Sequence, residues 1–196
     1  MKKTRIIATI LTVCLIMSCM FSYSAMALNV SGENQVSTTT KQGNSEVQVK
    51  IEATQMTVTV PAILPIEVDA EGGVDVATNA KIINKSYGAV EVTGVKIATK
   101  ATGWTLVEGT HNFHADPVNS DNYTLSIDGK SVTTVQDNGA TIEVSNALGA
   151  QIDGTTNPAT GTERGFTYNG AVSARTTPIT EALAIATVTF SVDWAD

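Results

Sequence analysis

The chain has 196 residues, with 12 Lys and Arg against 19 Asp and Glu, a net charge of −7, and two cysteines, Cys14 and Cys19. At about 150 residues per domain the length predicts one domain or one and a half. An apolar content of 42% is too high for a disordered chain, the net acidity excludes a nucleic-acid binder, which needs a basic face, and two cysteines do not build a disulfide scaffold.

Lys2, Lys3 and Arg5 precede an apolar run over residues 6–17, and Ser24-Ala25-Met26-Ala27 supplies small residues for a cleavage site. This is the signal-peptide pattern, and the run is too short for a comfortable membrane span. Cleavage after Ala27 leaves 169 residues with a net charge of −10, no cysteine and no transmembrane segment. Such a chain is expected to be exported and stabilised by core burial alone. The alternative is Leu15-Ile16-Met17-Ser18-Cys19, a lipobox-like run with Cys19 as the lipidated residue.

Residues 28–45 are polar and predict a flexible arm. The folded domain is expected over residues 46–196. Val47, Val49 and Ile51 alternate with Glu46, Gln48, Lys50 and Glu52, and Met56, Val58 and Val60 resume one residue out of phase. Ile66 and Val68 predict a short strand, closed by the turn Asp69-Ala70-Glu71-Gly72-Gly73 before Val74-Asp75-Val76. Strands follow at Ile82-Ile83-Asn84, at Val90 to Ile97 as a pair with a bulge at Gly94, and at Trp104 to Val107. Tyr123, Leu125 and Ile127 alternate up to Asp128-Gly129, a hairpin dipeptide. Further strands are expected around Val132 to Val144, at Phe166 and Tyr168, and from Ile185 to Trp194; residues 145–165 read as loop. Helical turns fit only residues 145–150 and 179–184, since no i, i+3, i+4, i+7 stripe persists after the leader. Roughly nine to eleven short strands with frequent turn signals predict an all-β fold, a single antiparallel β-sandwich.

Residues able to do chemistry are few. His111, His114 and Asp116 lie close in sequence, but the i, i+3 spacing with Asn112 after His111 is not that of a zinc peptidase. Asp69, Glu71 and Asp75 surround two glycines without the spacing of a calcium loop. Neither a nucleophile elbow nor a phosphate-cradling glycine loop occurs. Lys50 in the first long strand and Asp193 in the last form a weak isopeptide pair, with two solvated charges as the simpler reading. Tyr87, Tyr123 and Tyr168, each near a turn, are the candidate surface-binding aromatics. No catalytic residue, metal or cofactor is expected.

Thr93-Gly94-Val95-Lys96-Ile97 leads through Thr102-Gly103 to Trp104-Thr105-Leu106, and Thr187-Val188-Thr189-Phe190-Ser191-Val192 stands near the end of the chain. The first run resembles the Trp-x-Leu motif of WxL-domain proteins of Gram-positive bacteria. In the second, Phe190 and Val192 stand where that family has Trp and Leu. The resemblance implies an immunoglobulin-like or WxL-like sandwich, held at the cell surface or cell wall, with Trp104, Leu106, Phe190 and Val192 as motif residues packed in the core. It implies a non-enzymatic binding or adhesion module whose partner is a cell-wall polymer such as peptidoglycan or another surface protein. The alternatives are a self-assembling matrix or pilus-like subunit, with the arm exchanging a strand between copies, and a wall-polymer hydrolase using His111 and His114.

Overall fold

Alternating apolar residues become short strands that pair mainly with partners distant in sequence. The computed structural model describes residues 53–137 and 139–196, together with Thr39, Ser45, Val47 and Val49. The chain divides into two units, Met1–Lys50 and Ile51–Asp196, and every strand named below lies in the second. The leader over residues 1–27, Cys19, most of the arm and Lys50 lie outside the described residues. Of the strand expected over residues 46–52 only Val47 and Val49 are described; both are exposed and neither is in a strand.

In chain order the strands are β1 Val58–Thr59, β2 Ile66–Val68, β3 Val74–Val76, β4 Lys81–Asn84, β5 Val90–Thr99, β6 Thr105–Leu106, β7 Asn122–Ile127, β8 Lys130–Ser131, β9 Val135–Gln136, β10 Gly139–Ile142, β11 Thr162–Gly165, β12 Tyr168–Val172 and β13 Ala186–Trp194. They form sheets in the orders β1-β4-β11, β13-β5-β10-β9 and β12-β7-β6, with β8 also on β7 and β2 paired with β3. The fold is all-β, with several antiparallel sheets. One pairing departs from the expected antiparallel pattern: β6 runs parallel to β7, Leu106 opposite Tyr123. Among the described residues the one helical element is a 3₁₀ turn, Phe113–Ala115.

The longest ladder joins β13 to β5, from Ala186 opposite Thr99 to Trp194 opposite Val90. The sequence suggests two strands across Gly94, but β5 is one strand of ten residues. Ser191 faces Gly94 and Val192 faces Val92, so Thr93 is an unpaired extra residue. A bulge of this kind shifts side-chain alternation by one. Val90 and Val92 are therefore buried before it, and Val95 and Ile97 after it. Asp128 and Gly129 both have positive φ, 49° and 75°, and join β7 to β8 with Ile127 opposite Lys130. That is the two-residue loop whose twist matches the strands it joins.

The core gathers Ile82, Ile97, Tyr123, Ile127, Ile142 and Ile152, each at most 2% exposed. Burial of one such aliphatic side chain contributes about 1.5–3 kcal/mol. Two expectations fail for local reasons. Residues 145–165 are not all loop, because β11 pairs with β4 through its backbone and through the exposed Lys81–Glu163 ion pair at 2.7 Å; its residues Thr-Glu-Arg-Gly carry no apolar pattern. Residues 145–150 hold one helix-like turn, with the Gly149 amide donating to the Ser145 carbonyl at 2.8 Å and the Leu148 amide to the Ser145 hydroxyl at 3.0 Å, whereas residues 179–184, after Pro178, form no such turn.

Candidate functional site

A polar residue at the end of a strand organises the surface with the most exposed aromatic side chains. Asn84 closes β4 and is fully buried. Its Nδ2 lies 2.9, 3.0 and 3.1 Å from the carbonyl oxygens of Gly88, Ile152 and Asp153, which share its two hydrogens. Its Oδ1 accepts from the Ser86 amide at 2.9 Å. The Ser86 carbonyl accepts from the Thr155 amide at 2.8 Å, and the Ser86 hydroxyl accepts from the Thr57 amide at 2.7 Å. Gly154 closes the clamp, since a Cβ at that position would strike the Tyr87 carbonyl group. The turn over residues 85–88 is thus fixed on all sides through its backbone.

From this fixed turn the Tyr87 side chain is 75% exposed. The neighbouring Gly88 lies under the Trp194 ring; a Cβ there would sit 2.9 Å from Trp194 Cζ3. The Ala195 amide donates to the Ala89 carbonyl at 3.1 Å and holds the end of β13 against the same turn. Trp194 remains 36% exposed. Tyr87 and Trp194 therefore stand on two segments that are hydrogen-bonded together.

Tyr87 is exposed as the sequence suggests, whereas Tyr123 and Tyr168 are corrections. Tyr123 is fully buried because residues 123, 125 and 127 form the inward face of β7. Its hydroxyl lies 2.9 Å from Thr99 Oγ1, and the Trp104 ring meets it edge-on at 6.2 Å. Burial raises the Tyr123 pKa, and the Thr99 hydrogen bond opposes that shift. Tyr168 is also buried. Its hydroxyl donates to the Pro65 carbonyl at 2.6 Å and accepts from the Ala77 amide at 3.1 Å, which ties β12 to both ends of the β2–β3 hairpin. Neither is an exposed surface aromatic. Trp194 is the residue that sequence reasoning missed.

The four motif residues pack inward. Leu106 is buried, and Trp104, Phe190 and Val192 are half-buried. Trp104 stacks under the Arg175 guanidinium, 5.7 Å from its ring centroid, and Arg175 also pairs with Asp121. Phe190 meets Phe166 at 5.3 Å. The two halves of the motif thus lie in different sheets, with different aromatic partners.

His111 and Asp116 come together, Nε2 to Oδ1 at 2.7 Å, while His114 is exposed and takes no part. Asn122 Nδ2 donates to Asp116 Oδ2 at 2.9 Å. The Asn122 donation holds the Asp116 carboxyl below the usual carboxylate range; burial opposes this, and the His111 and Ser173 interactions assist it. A lowered folded pKa places the stabilisation above the unfolded carboxylate range and removes it as pH falls through the folded value. Asp116→Asn is therefore expected to lower the unfolding midpoint at pH 7, with the gap to the parent closing under acid. A constant gap down to pH 2 in denaturant titrations would show that the Asp116 charge does not stabilise the fold.

His111 also lines a shallow concavity of about 450 Å³ with Leu106, Glu108, Thr110 and Val135. Among the described residues no group of three or more His, Cys, Asp or Glu side chains is placed to hold a metal ion. In the acidic turn, Asp69 Oδ1 instead accepts from the amides of Glu71 and Gly73, at 3.0 and 2.5 Å, and so caps its own loop. Asp193 is exposed on β13 opposite Glu91. Comparison with protein-family models, with curated proteins and with solved structures finds no match.

Proposed function

We propose that this chain is an exported, non-enzymatic module of a Gram-positive cell surface, a single sandwich of the WxL-like type that holds a wall polymer. The observation that supports the reading is the presentation of Tyr87 and Trp194, both exposed, on two segments that are hydrogen-bonded together. A pyranose ring offers a flat face of C–H groups, which packs on aromatic faces without needing charge. A neutral stacking contact also suits a chain whose acidity would repel anionic wall polymers. A backbone locked before binding reduces the ordering cost of association. The leader, the cleavage site and the Trp-x-Leu-like run supply the surface location and the family likeness within this proposal.

Cosedimentation with isolated cell walls tests it. The parent protein is expected in the pellet, and Tyr87→Ala and Trp194→Ala are each expected to weaken binding about tenfold, the factor that corresponds to about 1.4 kcal/mol. Tyr87 is largely exposed, so the Tyr87→Ala midpoint should stay near that of the parent; Trp194 covers Gly88, so Trp194→Ala is expected to lose some stability, and its binding is compared well below its own midpoint. A parent protein that remains in the supernatant, or aromatic variants that bind as it does, would count against this reading.

A further inference from the structure

The chain between β1 and β2 forms an apolar groove left open by the described residues. Its volume is about 360 Å³, and its lining includes Val60, Ile63, Leu64, Ala77, Ile83 and Tyr168. Ile63 is 79% exposed and Val60 44%, so two large apolar side chains stand at its rim in water. Among the described residues β1 is at the edge of its sheet, and the backbone amides of Ala62, Ile63 and Leu64 donate to no acceptor. Apolar side-chain sites beside unpaired backbone are what an added strand requires.

The chain carries a segment with the matching pattern. In residues 46–52, Val47, Val49 and Ile51 alternate with Glu46, Gln48, Lys50 and Glu52. Val47 is 86% exposed and Val49 73%. We propose that residues 46–52 of one copy add as a strand along the β1 edge of a second copy, seating their apolar face in its groove. The contact joins two different surfaces, so a singly joined pair retains one free segment and one free groove for a further copy. The inference goes beyond wall binding and does not depend on it. It also moves the exchanged strand from the polar arm over residues 28–45 to the alternating segment after it.

Strand register limits what a hairpin within one chain could cover. Val58 pairs with Asn84 and Thr59 with Ile83, and the Lys85 amide donates to the Thr57 carbonyl at 2.8 Å. The chain therefore enters β1 from the Lys85 end, whereas the groove lies at the opposite end, by Ala80 and Lys81. A hairpin folded back at Ala53 would bring Val47 level only with Thr59, leaving residues 60–64 uncovered. A second copy meets no such limit.

The test uses the protein in the form a producing cell accumulates, with two complementary variants. Val47→Asp/Val49→Asp spoils the strand and leaves the groove; Ile63→Asp spoils the groove at an exposed position. In sedimentation velocity the parent is expected to associate with rising concentration. Each variant alone should associate at least tenfold more weakly, and an equimolar mixture should recover pairs of chains but nothing longer. Disulfide capture, in a Cys14→Ser/Cys19→Ser background, gives a second readout that keeps the groove intact. A Val49→Cys chain is expected to cross-link to an Asn79→Cys chain. A parent that stays monomeric at high concentration, a mixture that forms no pairs, or a cross-link that closes within one chain carrying both cysteines would each overturn the proposal.

Discussion

Replacing Asn84 by leucine is expected to lower the free energy of unfolding by about 4 kcal/mol. The side chains are similar in volume, so the loss is not one of packing. Leucine leaves the carbonyls of Gly88 and Asp153 and the Ser86 amide without the partner that Asn84 supplies, while the Ile152 carbonyl keeps the Val90 amide at 3.0 Å. A buried polar group left unpaired costs about 1–3 kcal/mol, and the three share one network, so the total is less than their sum. Against a usual domain stability of about 5–15 kcal/mol this is a large fraction. Guanidinium unfolding measures it, with Asn79→Leu, at an exposed position, as a control expected to shift little. Wall binding should weaken as well, because the turn that presents Tyr87 loses its anchor. A change below about 1 kcal/mol would mean that water replaces the amide, and Asn84 would then not be what fixes the turn.

Tyr123→Ala is expected to cost about 3–5 kcal/mol, the range for removing a large aromatic from a packed core. Tyr123→Phe should cost about 1 kcal/mol or less, since the exposed Thr99 hydroxyl can turn to water. The informative comparison is at high pH. Burial raises the folded pKa of Tyr123 above the unfolded value of about 10. Its contribution is complete below that value and is lost as pH rises through the folded pKa. The parent should therefore lose stability in alkali more steeply than Tyr123→Phe in matched denaturant titrations. Parallel curves would show that the phenol ionises as freely in the folded protein as in the unfolded one.

Local signals placed several elements, though not the strand expected at Val47 and Val49. The β2–β3 hairpin, β7 and the Asp128-Gly129 loop follow from alternation and from residues that tolerate positive φ, because both act within a few neighbours. The bulge was visible as a two-to-three change of spacing between Val92 and Val95. Pairings set by the rest of the chain were not visible. β11 has no apolar residue to report its position, and the parallel β6–β7 contact depends on how the loop between them packs. The aromatic residues divide in the same way. Tyr87, Tyr123 and Tyr168 all stand near turns, and only the completed sheets separate a side chain on a loop from those on an inward strand face. Trp194 shares strand parity with Val188, Phe190 and Val192, so alternation assigns it to the core; its exposure depends on Gly88 and the last rung of the ladder. Asn84 could not be singled out at all, because two of its acceptors lie 68 and 69 residues further along the chain.

The pairing of β13 with β5 also has a consequence in time. About ninety residues separate Ala186 from its partner Thr99, and contacts over such intervals are among the last to form and slow folding. During synthesis, β5 has emerged long before β13, and one flank of the central strand of that sheet stays open until residue 194 has left the ribosome. A nascent chain is thereby kept from completing its fold early. Under the proposed export, that delay would keep the chain unfolded long enough to pass through a membrane.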